Sequence, residues 1–211
     1  MISSNADLDF YLKADEIALN IPEKGARRLK ARVVNRIWRF ERLLRKAEYR
    51  TNTSKSRGGQ LFASYARFRA YHLGTKLGYE IPVNVFGAGL SIAHQGLIIV
   101  NPNSRVGENC RIHNCVHIGT EAGYNDRCPV IGNNAFIGPG AQIFGAITLA
   151  DGIAVGANSV VNKSFSESDI SIAGVPAKKI SDKGSSFIYH RPTEILRAKR
   201  SDGDQSKKDS P

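Results

Sequence analysis

Several things are scarce in this sequence, and each scarcity closes off a class of protein. Nowhere do about 18 apolar residues run together, so no helix is expected to span a bilayer. The three cysteines, Cys110, Cys115 and Cys128, are odd in number and show no C-x-x-C spacing, which points away from a disulfide framework and from a zinc site. No metal cofactor is expected. The N-terminal stretch from Met1 to Asn20 lacks the basic start and uninterrupted apolar stretch of a secretory signal, because Asp7, Asp9, Asp15 and Glu16 interrupt it. A reduced, cytoplasmic setting fits these absences.

With 211 residues and 41% hydrophobic content, the chain can build one full core and a smaller appendage. The net charge of +11 is concentrated: between Arg27 and Arg50 ten Lys or Arg face two Glu, whereas Ile81 to Ile180 holds six charges of each sign. Basicity therefore belongs to an N-terminal arm.

Within that arm, Leu29, Val33, Ile37, Phe40, Leu44 and Ala47 recur at steps of three and four with neither Pro nor Gly between them, which predicts one basic amphipathic helix over 27–50. Thr51 to Gly59 reads as a loop, Gln60 to Leu77 as a second helix ended by Gly78, and Pro82 as the entry into extended structure. Within the N-terminal helical region 1–79, the basic helix over 27–50 has two readings, and a further alternative makes the protein a non-catalytic membrane- or polyanion-binding module through that helix. Its apolar stripe is either a packing face with arginines in water, or half of a peripheral membrane contact at the inner face of the membrane. A purely nucleic-acid role has no use for such a stripe.

From Val106 onward an aliphatic residue falls at every sixth position: Val106, Ile112, Ile118, then Ile131, Ile137, Ile143, Leu149, Val155 and Val161. Neither a helix nor an alternating strand has this period, so it marks a solenoid in which each hexad makes one short strand and one corner. Three hexads per turn give three stacked coils, and Ile81 to Val100 adds another. Between Ile118 and Ile131 the pattern carries seven extra residues, an external loop of the kind that often carries function. The tail from Ser181 turns polar and is expected to be disordered beyond about residue 200.

Over roughly 80–180 the chain resembles the hexapeptide-repeat acyltransferases with a left-handed parallel β-helix, and among them the serine acetyltransferase branch. The likeness rests on the hexads, Ala93-His94-Gln95-Gly96, Gly119-Thr120, the looped insertion ending Asp126-Arg127-Cys128-Pro129, and Ala173-Gly-Val-Pro-Ala-Lys178. It implies the fold and its hand, a homotrimer, acetyl-CoA in a groove between neighbouring coils, and an active site shared between subunits. It also implies His94 as the general base that takes the acceptor's hydroxyl proton, a task suited to imidazole. Glu80 is the candidate to orient it, one position beyond the family's aspartate, which aligns with Tyr79; a solvated Glu80 is the alternative. Arg127 and Cys128 fall where the acceptor is held.

Gly119, Thr120, Gly138, Pro139, Gly156 and Ala157 align with the pantetheine groove, and Lys178 and Lys179 with the CoA phosphates, although solvated lysines and turn glycines explain the same residues. Cys128 is either a nucleophile that forms an acetyl-enzyme or a small loop residue beside a direct transfer. His117 is a lesser catalytic candidate; His72, His113 and His190 read as structural or exposed. Serine acetyltransferases typically read Asp-His where this chain has Ala93-His94, and Arg-His-Pro where it has Arg127-Cys128-Pro129. Loss of that carboxylate shifts the expected acceptor from L-serine to the hydroxyl of a sugar or exopolysaccharide precursor, with serine acetylation as the alternative.

Overall fold

Aliphatic side chains at sixfold spacing bury themselves together only if the chain turns one corner between each and the next, and in the computed structural model the chain does so. The model describes residues 1–187 and 191–208. Four helices lead: α1 (Asn5–Ala18), α2 (Gly25–Val34), α3 (Arg36–Thr53) and α4 (Arg57–Leu77). Short strands follow: β1 (Tyr79–Glu80), β2 (Ser91–Ile92), β3 (Ile98–Val100), β4 (Arg105–Val106), β5 (Arg111–Ile112), β6 (Val116–Gly119) and β7 (Val130–Ile131). The series continues with β8 (Phe136–Ile137), β9 (Gln142–Phe144), β10 (Thr148–Leu149), β11 (Ala154–Val155), β12 (Val160–Val161), β13 (Ser171–Gly174) and β14 (Ala177–Ser181), and α5 (Pro192–Lys208) closes the described chain.

The strands form three faces of a prism. The first sheet runs β1-β3-β6-β9-β12, the second β10-β7-β4, and the third β14-β13-β11-β8-β5-β2. All pairings are parallel except the terminal β13–β14 hairpin. Registers such as Ile92↔Ile112, Ile112↔Ile137 and Val155↔Ile137 stack the hexad aliphatics directly above one another, about 4.8 Å apart. Ile92, Ile98, Ile112, Ile118, Ile137 and Ile143 are fully buried in that column. The irregular stretch before Val100 supplies a further coil, with Phe86 bridged to Val106, and the pattern persists beyond Val161 through Phe165, bridged to Leu149. The seven-residue excess lies in the loop between β6 and β7.

A solenoid's first coil has no coil before it, so its outward backbone groups need partners. Here α1 and α3 supply them with buried charge. Arg45 donates to the carbonyls of Phe86 (2.9 Å) and Gly87 (2.6 Å), while Asp15 accepts from the amides of Gly89 (2.8 Å) and Leu90 (2.9 Å). Glu41 accepts from Ile92 N–H at 3.1 Å and Glu48 from Asn84 N–H at 2.9 Å. Arg45 also ion-pairs with Asp15 (2.7 Å) and Glu48 (3.0 Å), and its side chain is 0% exposed.

Three expectations need correction. The basic segment 27–50 is two helices: Asn35 adopts extended backbone and its Oδ1 accepts from Trp38 N–H at 2.9 Å, capping α3, so an N-cap ends the pattern without Pro or Gly. The 51–59 loop shrinks to 54–56, because α3 runs to Thr53 and Ser56 caps α4 through Gly59 N–H. Polar composition beyond residue 200 does not prevent α5 from running to Lys208, while residues 209–211 lie outside the described residues. Gly78 does end α4, in a left-handed conformation (φ 84°).

Candidate active site

His94 stands exposed two residues past the buried Ile92, on the corner that leads from the third sheet into the first. That corner is fixed from behind. The Tyr79 hydroxyl donates to the His94 carbonyl at 3.0 Å, and Gly96 N–H donates to the Leu77 carbonyl at 3.0 Å. A Cβ on Gly78 would lie 2.9 Å from the Gly96 carbonyl carbon, so glycine is required there both by its φ and by this approach. The end of α4 thus holds the turn that presents the imidazole.

One coil on, His113 occupies the same edge. Its ring centroid is 5.7 Å from that of His94, and its other side lies 5.1 Å from Phe136. His113 Nε2 is buried without a hydrogen-bond partner. Burial first, then the charges of Arg111 and His94, hold its pKa below the usual imidazole value, so it favours the neutral form. A proton arriving on His94 therefore meets no second imidazolium beside it. Sequence reading took His113 as structural or exposed; stacking Ile92 on Ile112 was the signal that places both imidazoles on one edge.

Glu80, the expected orienting acid, is not brought to His94 within the single chain. It is exposed, borders a cleft with Arg67 and Tyr71 between the helices and β1, and makes no hydrogen bond to His94. Strand alternation explains this, because Tyr79 points inward toward the His94 corner and its neighbour must point outward.

Below the two histidines the same edge narrows to small residues: Gly138-Pro139-Gly140 after β8, Gly156-Ala157 after β11, then Ala173. The amides of Gly138 and Gly156 are committed to the carbonyls of Val155 (2.9 Å) and Ile172 (2.8 Å) in the coil ladder. A Cβ on Gly138 would lie 2.7 Å from the Val155 carbonyl oxygen and one on Gly156 2.8 Å from the Ala173 Cβ, so both glycines serve the stacking of the coils, while Pro139 and Ala157 are exposed beside them. Lys178, opposite Ala173 in the terminal hairpin, is exposed and makes no ion pair among the described residues. Lys179 differs, since it is held by Glu167 and Asp182, each at 2.5 Å, and is a structural tie rather than a free cation.

The remaining predicted residues lie elsewhere. Gly119 and Thr120 are on the corner between the first and second sheets, a sheet's width from His94 in the same chain. His117, exposed on the first sheet, lays its Nε2 2.9 Å from where a Gly119 Cβ would be. Arg127, in the adjoining loop, pairs with Glu121 at 3.1 Å and covers the Tyr124 ring at 3.5 Å. Cys128 is buried, its Sγ 3.2 Å from Asn101 Oδ1, and burial pushes the thiol's pKa up, away from thiolate character. His72 is exposed on α4 under Phe68, and His190 lies outside the described residues. Among the described residues no group of three or more His, Cys, Asp or Glu is arranged to hold a metal ion, and no helix is long and apolar enough to cross a membrane.

No protein-family model matches the chain. Serine acetyltransferase from Synechococcus elongatus is 33% identical over 109 residues, covering 51% of this chain and 44% of that protein. The Staphylococcus xylosus serine acetyltransferase is 34% identical over 109 residues, covering 51% and 50%. The chain thus spans about half the length of these relatives. Among solved structures, serine acetyltransferase from Brucella abortus superposes with a TM-score of 0.68 at 26% identity, over 86% of this chain and 72% of that one. The same enzyme in complex with coenzyme A gives 0.68 at 27% identity, over 85% and 70%. Coil stacking and superposition agree on the fold, a left-handed β-helix of hexapeptide repeats, and over about half of its length this chain is similar in sequence to serine acetyltransferases.

Proposed function

We propose that the chain is an acetyl-CoA-dependent O-acetyltransferase in which His94 acts as general base. The observation that carries this reading is a single prism edge on which an exposed imidazole, backed by a neutral one, sits above a run of small residues. Coenzyme A bound to a structural neighbour supports acetyl-CoA as the donor, and in this reading pantetheine lies against Pro139 and Ala157 with Lys178 toward the phosphates.

In the reaction the acceptor oxygen attacks the thioester carbonyl carbon while His94 takes the hydroxyl proton. The tetrahedral centre then collapses, the carbon–sulfur bond breaks, and the proton passes from His94 to the leaving sulfur. The products are an acetyl ester and free CoA thiol. A positioned base of this kind contributes about a hundred- to ten-thousandfold in rate. Cys128 is given no nucleophilic role in this chemistry, since it is buried and burial pushes its thiol away from thiolate character.

L-serine is the acceptor that the named relatives favour. A neutral sugar hydroxyl is the second reading, and one observation favours it: the side chains at 79, 93 and 128 are Tyr, Ala and Cys, and among the described residues no carboxylate is hydrogen-bonded to His94 to meet an ammonium there. A homotrimer agrees with the separation of His94 from Gly119, Thr120, Arg127 and Cys128 within one chain, because a site that uses both edges closes only between copies. The test is release of CoA thiol from acetyl-CoA by the purified protein with L-serine and with a panel of neutral sugars. Release with neither acceptor sinks the proposal; release with one assigns it.

A further inference from the structure

The helical arm leaves an apolar face uncovered. On α4, Leu61 (74% exposed), Phe62 (66%), Tyr65 (60%), Phe68 (60%) and Tyr71 (67%) stand in solvent, and Leu61, Tyr65, Phe68 and His72 share one stripe at steps of four, three and four. Five large side chains this exposed on one helix exceed what scattered surface apolarity accounts for. The helix carries Arg57, Arg67, Arg69 and Lys76 and no acid. Nearby α2 repeats the design, with Leu29, Val33 and Val34 about two-thirds exposed among Arg27, Arg28, Lys30 and Arg32.

Between α1, α3 and α4 lies a groove of about 390 Å³ whose lining includes Lys46, Arg50, Arg69, Tyr49, Phe62 and Tyr65. Lys46 and Arg50 are exposed and have no ion-pair partner among the described residues. The cations of three helices converge here. Burial, then Arg42, Arg32 and Arg69, depress the Lys46 ammonium's pKa, so its neighbours from α2, α3 and α4 are all within reach of its charge. A cluster of cations holding one another at this range is relieved by an anion.

We propose that this face, the α4 stripe with the basic groove and α2 beside it, docks on an anionic lipid bilayer. Basic residues flanking aromatic and leucine side chains on a helix that lies flat suit the headgroup boundary, where the rings enter the interface and the cations meet phosphates. This relocates the membrane contact expected of 27–50: the stripe of α3 is spent on the prism, with Phe40, Leu44 and Ala47 buried. Pairing with the same face of a second copy would set cations against cations, because neither α2 nor α4 offers an acid. Leu29, Val33, Val34 and Leu61 contribute nothing to a nucleic-acid backbone. The docking is independent of the chemistry at His94.

The test is co-flotation of the full chain with vesicles of phosphatidylcholine alone or mixed with phosphatidylglycerol. Wild type is expected to float with the mixed vesicles and not with phosphatidylcholine alone. Two variants carry exposed substitutions only. Lys46→Gln with Arg50→Gln and Arg69→Gln should lower partitioning roughly a hundredfold, at about fivefold per cation, and Phe62→Ser with Tyr65→Ser and Phe68→Ser should abolish flotation, each with wild-type circular dichroism and sedimentation mass. Flotation of either variant at the wild-type level overturns the proposal. So does a fall in oligomer mass in the serine variant, which would assign the face to subunit contact, and so does duplex DNA binding in place of flotation.

Discussion

Arg45 is where the helical arm and the prism are most tightly joined, and its loss should be costly in a particular order. Arg45→Met leaves Asp15 and Glu48 buried without their cation and takes the donors from the carbonyls of Phe86 and Gly87. Breaking a buried pair by removing one partner costs about 3–5 kcal/mol, and carbonyls deprived of charged donors add to it. Taking about 4 kcal/mol and about 2–4 °C per kcal/mol for a chain of this size, thermal melting should fall by roughly 10 °C. The first coil ends at the His94 corner, so thiol release should fail at temperatures where the far-ultraviolet signal of the prism is still intact. Adding Asp15→Asn and Glu48→Gln to Arg45→Met should recover part of the loss, because no uncompensated carboxylate remains. A drop in melting temperature under about 3 °C for Arg45→Met would refute the view that this network caps the solenoid.

Glu41 offers a test with the opposite sign. It is fully buried, its Oε2 has no partner, and burial together with Asp15 holds its pKa well above the usual carboxylate range. The folded state therefore retains a proton that the unfolded chain releases near pH 4.5, so this group's contribution weakens as pH rises from there. Glu41→Gln keeps an acceptor for Ile92 N–H and should melt higher than wild type at neutral pH, with the gap closing toward pH 4.5; a variant less stable at both would contradict this. Cys128→Ala should retain most of the turnover and show no change from sequential to ping-pong kinetics, measured as the pattern of initial rates against both substrates.

The prism was legible because its inward positions tolerate only aliphatic or small side chains, so the hexads from Val106 to Val161 write the coils directly into the chain. His94 was not legible by that route: it lies in the irregular stretch before Val100 and was singled out only because it falls where the resembling family has its catalytic histidine. The arm was harder to read. Charge on Glu41, Arg45 and Glu48 looks like a solvated helix face, yet these residues recur at steps of four and three beside Phe40 and Leu44, and that stripe faces the open end of the first coil. Asn35 broke the long helix by capping, a signal that the search for Pro and Gly passed over. That Glu80 turns away from His94 within the chain follows from neighbouring strand residues facing opposite ways, and pairing of distant residues such as His94 with His113 requires the coils to be stacked in register first.

The central claim is that the imidazole at position 94 accepts the proton of the attacking hydroxyl. Its most direct test is turnover of His94→Gln, followed as CoA thiol release alongside acetyl-CoA binding by calorimetry. The account predicts a fall in kcat of about a hundredfold or more with cofactor affinity and melting temperature unchanged. Turnover equal to wild type would contradict it.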